Sequence, residues 1–148
     1  DHVMEGMTVV YETVPELMIG LQSRELATGI LSSKFRYRIE SVLKRDGLAG
    51  HFNAIVGYED VSAPKPDPEG LLRIMRTLNV SRDNCLYVGD SPTDARTATQ
   101  AGVPFAAVLT GATLREGFSP FPCVAILRDL TELPVLLEHS HQPVRGQP

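Results

Sequence analysis

The sequence predicts an α/β fold in which helices cover both faces of a parallel β-sheet. Short apolar runs alternate along the chain with segments whose apolar residues recur every three or four positions, which is the pattern of alternating strands and helices. The runs are apolar throughout, as is typical of strands that are buried on both faces. With 148 residues, the chain is long enough for one domain with a hydrophobic core.

The first predicted elements are a helix over residues 14–25, a strand over 27–33 and a helix over 35–46. In the first helix two leucines lie four positions apart, and a proline occupies the first turn, where it is tolerated. The strand is the short apolar run "ATGILSS". In the second helix apolar residues recur at spacings of three and four, and Gly47 is suited to end it.

The alternation continues with the strand "AIVGY" at residues 54–58. A proline-rich loop over 62–70 then leads into a helix that opens at Asp67-Pro68 and has a regular apolar face. The strand "CLYVG" at 85–89 is followed by a helix over 92–101. This helix has proline at its first position and glycine directly after its end, which are the residues favoured at those two places.

The last two predicted strands are the apolar runs at 105–109 and 124–127, and residues 130–137 are predicted as a closing helix. From His139 onward the chain is polar and contains Pro and Gly. We therefore expect a core domain over residues 14–138, followed by a disordered tail over 139–148.

Composition excludes several classes of function. The net charge is −4, so there is no basic surplus for nucleic acid or for anionic lipid. No apolar stretch approaches the roughly 20 residues that span a bilayer, and the acidic first residues do not resemble a signal peptide. Two cysteines are too few for a disulfide framework. We expect a cytoplasmic protein with no nucleic-acid and no membrane partner.

In parallel sheets ligands bind at the carboxyl ends of the strands, so the polar residues that follow each strand are the candidate site residues. Ser91, Pro92 and Asp94 together form a good helix start, with the serine as cap. Asp90 lies outside that cap. Mg²⁺ takes one or two carboxylates while it keeps bound waters, so Asp90 with Asp94 behind it is a candidate metal pair. Metal binding and helix capping both stay open for this stretch.

Two further strand-end segments carry groups that suit a phosphate. Ser32 and Ser33 stand between a strand and a helix, where a hydroxyl and backbone amides can bind phosphate, although a capping role for Ser32 is the alternative. Lys65 lies between prolines in "APKPDP", which restrict the backbone around a cation that can neutralise phosphate. A solvent-exposed loop lysine is the alternative there. The other polar strand-end residues are Lys34, Tyr58, Glu59, Asp60 and Thr110.

Three segments, in this order, resemble motifs of the haloacid dehalogenase-like hydrolase superfamily, specifically its phosphoglycolate-phosphatase-like and pyrophosphatase-like branch. "GILSSK" resembles the second motif, with Ser32, and "KPDPEGLL" the third, with Lys65. "YVGDSPTDARTATQAG" resembles the fourth, with Asp90 and Asp94 as its acidic pair. The resemblance covers roughly residues 14–137 and implies a three-layer, Rossmann-like core around a parallel sheet.

The resemblance also implies an activity: Mg²⁺-dependent hydrolysis of a phosphomonoester or pyrophosphate through an aspartyl-phosphate, with a small phosphorylated substrate. By resemblance Ser32, with Ser33, binds phosphoryl oxygens, and Lys65 offsets negative charge. Asp90 binds Mg²⁺, and Asp94 orients Asp90 or a metal-bound water. The catalytic candidates are therefore Ser32, Lys65 and Asp94, and the metal candidates are Asp90 and Asp94.

The first family motif, Asp-x-Asp on the first core strand, does not occur before Ser32. The resemblance therefore implies the C-terminal part of a larger enzyme, inactive alone, with residues 1–13 as a remnant of the cap and linker. In the family the first strand lies between those that end at Ser32 and Asp90, so we expect an incomplete sheet. A companion fragment, another copy in a homo-oligomer, or residues 7–11 could fill the gap.

Two other functions compete with this enzyme. One is a non-catalytic binding or partner module that retains the same motifs. The other is a receiver-like signalling domain, which also uses acidic residues and a lysine. The receiver is disfavoured because such a domain places its acidic pair near the start of the chain, whereas Asp90 and Asp94 lie beyond the middle.

Overall fold

The structure is a computed structural model that describes residues 26–141. Within this range strands and helices alternate, except that a short 3₁₀ turn replaces a helix between the last two strands. The helix predicted over 14–25, the strand considered at 7–11 and the tail after residue 141 lie outside the described residues. The elements are β1 (Gly29–Leu31), α1 (Arg36–Arg45), β2 (Ala54–Val56), α2 (Glu69–Leu78), β3 (Tyr87–Gly89), α3 (Pro92–Ala101), β4 (Phe105–Val108), β5 (Ala125–Leu127) and α4 (Leu133–His141).

All strand pairings within residues 26–141 are parallel, and they fall into two ladders. In the first, β1 pairs with β2, with Ile30 opposite Ile55. In the second, β4 lies between β3 and β5, and its Ala107 faces Gly89 on one side and Ile126 on the other. No ladder joins β1 to β3 in the described part of the chain. This confirms the predicted parallel α/β sheet; within residues 26–141 its two ladders are not joined between the strands that end at Ser32 and Asp90.

One face of the sheet is covered by α1 and α4. Ile39 and Leu43 of α1 pack in one buried cluster with Ile30 of β1, and the same cluster includes Val108 and Leu127 from the second ladder. Burial of apolar surface is the main favourable term in folding, so this cluster holds the two ladders together.

The opposite face is covered by α2 and α3. Because successive side chains of a strand point to opposite faces, Leu31 packs on the other side of the sheet from its neighbour Ile30. There it meets Leu71 and Ile74 of α2. Ala95 and Ala98 of α3 pack in a further buried cluster against β4. The layers are therefore helix, sheet and helix, as the sequence predicts.

Helix α3 begins and ends where the sequence predicts. The Ser91 hydroxyl accepts the backbone N–H of Asp94 at 3.2 Å, and Pro92 occupies the first turn. Gly102 ends the helix with φ of +74°, a left-handed conformation that glycine adopts without steric cost. Local side-chain chemistry alone thus fixes both ends of this helix.

Two predicted boundaries differ from the structure. Phe35, predicted on the apolar face of a helix, precedes α1 and remains 46% exposed, while Ile39 and Leu43 are buried. The closing helix lies closer to the C-terminus than its predicted range of 130–137. Residues 130–132 form a 3₁₀ turn, and α4 runs from Leu133 to His141, past its predicted end at residue 137. None of the helices described between residues 26 and 141 has the length and apolar character needed to cross a membrane.

Candidate active site

Ser32 and Asp90 directly follow β1 and β3 at the same edge of the sheet, and both are buried, with 4% and 1% exposure. The Ser32 backbone N–H donates to the Val56 carbonyl at 3.0 Å, which continues the β1–β2 pairing. Its hydroxyl oxygen accepts the Lys34 N–H at 3.1 Å. The N-cap of α1 is Phe35, so the capping alternative for Ser32 is wrong.

A small cleft opens beside the end of β1. Its walls include Ser32, Ser33 and Lys65, the three residues that the sequence predicts for phosphate binding. Tyr58 and Pro64 contribute part of the remaining wall. The fold therefore brings Lys65 to one opening at the carboxyl edge of the sheet beside Ser32 and Ser33, which lie far from it in the sequence.

Lys65 forms a buried ion pair. Its Nζ lies 2.8 Å from Oδ1 of Asp94, and the two side chains are only 5% and 1% exposed. The lysine sits in the loop before α2, and its peptide bond to Pro66 is cis. The alternative of a solvent-exposed loop lysine is therefore wrong.

Asp94 is the centre of the hydrogen-bond network at this edge. Besides the ion pair, Oδ1 accepts the Tyr87 hydroxyl at 3.1 Å. Oδ2 accepts the Asp90 backbone N–H at 3.2 Å and the Ser91 hydroxyl at 3.0 Å. A carboxylate has about four acceptor positions, so these four donors use its capacity. The carboxylate links the start of α3, the end of β3 and the lysine loop.

The environment of Asp94 keeps it ionised. Burial by itself raises the pKa of the carboxyl, but the nearby Lys65 ammonium acts against burial, as do the hydrogen bonds from Lys65 and Ser91, and the pKa falls to about 2. The pKa of the neighbouring Tyr87 changes in the opposite direction. Burial, followed by the negative charge of Asp94, raises the pKa of Tyr87 well above its ordinary value. Tyr87 therefore stays a neutral hydrogen-bond donor.

Two residues at this edge were not among the sequence-predicted site residues. Tyr87 lies within an apolar strand, and nothing in that run indicates that its hydroxyl reaches Asp94. Gly111, in the turn after β4, stands against the Asp90 carboxylate and has no side chain to mark it as part of a site. Thr110, the candidate that the sequence offers in the same turn, is exposed.

Glu59 and Asp60, the acidic residues after β2, pair with α1. Asp60 Oδ2 accepts from Arg36 at 2.7 Å, and Glu59 accepts the Arg36 backbone N–H at 3.0 Å. Burial acts to raise the pKa of Asp60, yet the hydrogen bonds from the Gly57 N–H and from Arg36 lower it overall. These contacts attach the β2 loop to the start of α1, which is a structural role.

The residues at the edge fit a hard cation in chemical type and number. Asp90 offers a buried carboxylate at a strand end. Within residues 26–141 no group of three or more His, Cys, Asp or Glu side chains could hold a metal, so the fit is limited to one or two carboxylates. Mg²⁺ commonly binds in this way and fills its remaining positions with water and substrate phosphate. Because Asp94 already accepts four hydrogen bonds, Asp90 is better suited to direct ligation.

Comparison with known families gives a clear match. A family model described as haloacid dehalogenase-like hydrolase matches residues 1–108. The pyrophosphatase PpaX of Oceanobacillus iheyensis is 30% identical over 133 residues, covering 88% of this chain and 60% of the relative. The phosphoglycolate phosphatase of Rhodospirillum rubrum is 33% identical over 124 residues, covering 84% of this chain and 51% of the relative. The chain thus spans between half and two thirds of these relatives' length.

Solved structures with the same fold include two crystal structures. One, described as a haloacid dehalogenase-like hydrolase from Bacteroides fragilis, superposes with a TM-score of 0.81 at 37% identity. The match covers 84% of this chain and 59% of that one. A second, described as a HAD-superfamily hydrolase from Geobacter sulfurreducens, gives a TM-score of 0.73 at 27% identity and covers 86% of this chain and 60% of that one.

Proposed function

Because the chain belongs to the haloacid dehalogenase-like hydrolase family, we propose that it carries the phosphate-binding and metal-binding part of the active site of a Mg²⁺-dependent phosphatase. The intact enzyme would hydrolyse a small phosphomonoester or pyrophosphate through an aspartyl-phosphate. The observation that carries the proposal is the buried Lys65–Asp94 ion pair between the cleft and Asp90. Buried charges are costly to folding, and a pair at the ligand-binding edge of a parallel sheet supports a catalytic use.

Ser32 is suited to bind a phosphoryl oxygen. Its hydroxyl oxygen already accepts the Lys34 N–H, while its own proton remains a donor that can turn toward the cleft. The exposed Ser33 lines the same cleft. In this arrangement Ser32 holds one oxygen of the phosphoryl group, and Ser33 offers a second hydroxyl close by.

Lys65 would offset negative charge on the phosphoryl group. An ammonium group has three donors, so the lysine can contact Asp94 and a phosphoryl oxygen at the same time. The ion pair restricts its flexible side chain before the substrate arrives, and preorganised charge is a major source of stabilisation in phosphoryl transfer. Asp94 in this scheme is a positioning residue that holds Lys65 and the Asp90 backbone.

Asp90 would hold Mg²⁺, and Asp94 would act behind it by orienting Asp90 or a metal-bound water. When bound, the cation supplies positive charge that stabilises a transferring phosphoryl group. The names of the relatives suggest pyrophosphate and 2-phosphoglycolate as the first substrates to try. Since no Asp-x-Asp precedes Ser32 in the sequence, we propose that this chain alone binds ligands without turnover.

The test is phosphate release by the full-length protein that contains this chain. Pyrophosphate, 2-phosphoglycolate and p-nitrophenyl phosphate are each offered with Mg²⁺ or with EDTA. We expect Mg²⁺-dependent hydrolysis of at least one of them, and a loss of more than about 100-fold in kcat for Asp90→Asn. Asp83→Asn, at an exposed acidic residue before β3, is the matched control.

Two results would contradict the proposal in different ways. Full activity of Asp90→Asn would remove Asp90 from the metal site. Absence of hydrolysis with every substrate, combined with retained phosphate binding, would favour the non-catalytic binding module instead.

A further inference from the structure

The turn after β4 brings Gly111 against the side chain of Asp90. A Cβ atom built on Gly111 would lie 2.7 Å from Cγ and 3.1 Å from Cβ of Asp90, and closer still to Oδ2. Its three nearest atoms thus all belong to one side chain. Packed atoms do not approach this closely, so any residue other than glycine here would displace the carboxylate.

Backbone conformation does not explain this glycine. Among the described residues the glycines with positive φ are Gly47 and Gly102, and Gly111 is not one of them. An L-residue could therefore adopt the backbone at position 111 without the strain of a left-handed conformation. The requirement for glycine comes from the space beside Asp90.

The backbone of Asp90 has little freedom to move aside. It is 1% exposed, and its backbone N–H donates to Asp94 Oδ2 at 3.2 Å. The preceding residue, Gly89, is equally confined, since a Cβ there would lie 2.7 Å from Cγ of Asp94. A methyl group at position 111 would therefore turn the Asp90 carboxylate to another rotamer.

We propose that Gly111 is a positioning residue that sets the direction of the Asp90 carboxylate, and hence the affinity of this edge for Mg²⁺. The inference rests on the proposed function in one respect, the role of Asp90 as metal ligand. Residues that orient a metal ligand typically change metal affinity by about 10- to 100-fold when they are replaced. Gly111 orients the Asp90 carboxylate because it has no side chain and leaves the space beside the carboxylate free.

The first experiment measures metal binding by this chain directly. The ¹⁵N-labelled protein is titrated with MgCl₂, and the dissociation constant is taken from amide shifts around Asp90. We expect Gly111→Ala to raise the constant at least about 10-fold. Gly50→Ala is the matched control, because a Cβ at Gly50 meets nothing within 4 Å. An unchanged constant for Gly111→Ala would overturn the proposal.

The second experiment is a double-mutant cycle on thermal stability without metal. Asp90→Ala removes the two atoms that a Cβ at position 111 would approach most closely. The loss of Tm caused by Gly111→Ala should therefore shrink to less than about half in the Asp90→Ala background, and this background also allows the measurement if the single variant folds poorly. Equal losses in both backgrounds would show that Gly111 does not act through Asp90.

The two experiments separate the proposals. If the wild-type chain shows no saturable response to MgCl₂, the metal role in the proposed function is contradicted, while the stability cycle still decides whether Gly111 positions Asp90.

Discussion

Replacing Lys65 by methionine tests the electrostatics of the site most directly. The change removes the ammonium and keeps an unbranched apolar side chain, which leaves the Asp94 carboxylate buried at 1% exposure without its cation. The pKa of Asp94 falls from 3.8 to about 2 in the folded protein, and at 1.36 kcal/mol per unit this is roughly 2 kcal/mol in favour of the ionised form. Without Lys65 the burial penalty remains, so we expect Lys65→Met to lower the free energy of unfolding by about 3–5 kcal/mol.

The assay is urea denaturation at pH 7 followed by far-UV circular dichroism, because the chain contains no tryptophan for fluorescence. Lys44→Met, at an exposed lysine of α1, is the control and should change stability by less than about 0.5 kcal/mol. Asp94→Asn and the double variant complete a cycle. Since the two partners touch, the double variant should be more stable than the sum of the single changes predicts, by about 0.5–3 kcal/mol.

Two results would refute this reasoning. Lys65→Met could cost no more than Lys44→Met, in which case Lys65 and Asp94 do not form a buried pair in solution. Alternatively the two single changes could add with no coupling, in which case their stability effects arise from separate contacts.

Three further predictions concern stability. Because the pKa of Asp94 is lowered in the folded state, its contribution is complete above about pH 4 and is lost as the pH falls through about 2; urea unfolding at pH 2–5 should show a smaller loss in Asp94→Asn. Gly57→Ala should cost about 1–3 kcal/mol in the same assay, since its Cβ would lie 2.8 Å from the Arg36 backbone nitrogen. Leu43→Ala, at a residue with 0% exposure, should cost about 2–5 kcal/mol, while Leu114→Ala, at 75% exposure, should stay within about 0.5 kcal/mol by thermal unfolding.

The fold could be predicted where local chemistry decides it. Helix α3 agrees with the sequence at both ends because Ser91 and Gly102 fix its start and its end without help from the rest of the chain. The strands are less well predicted. The run at 27–33 contains only the three paired residues of β1, since the extent of a strand depends on its neighbour and not on its own composition.

In the site, too, some features follow from the local sequence and others depend on tertiary contacts. Ser32 and Asp90 could be expected at one edge because the carboxyl ends of parallel strands lie together. The hydrogen bond from Tyr87 to Asp94 could not, because the direction of a polar tip in an apolar strand depends on tertiary packing. The sequence gives no signal for Gly111, since its contact with Asp90 depends on the path of the turn after β4.

Asp90 and Asp94, which follow β3, would be retained to different degrees in a related protein that had lost catalytic activity. Asp94 accepts the Ser91 hydroxyl and neutralises the buried Lys65 ammonium, so replacing it while Lys65 remains would leave a buried charge unpaired and destabilise the fold. The Asp90 side chain is not part of the helix cap and places a buried polar group beside a turn, so relaxed selection would replace it early. Among related sequences, an aspartate at position 90 would therefore indicate catalytic activity more reliably than an aspartate at position 94.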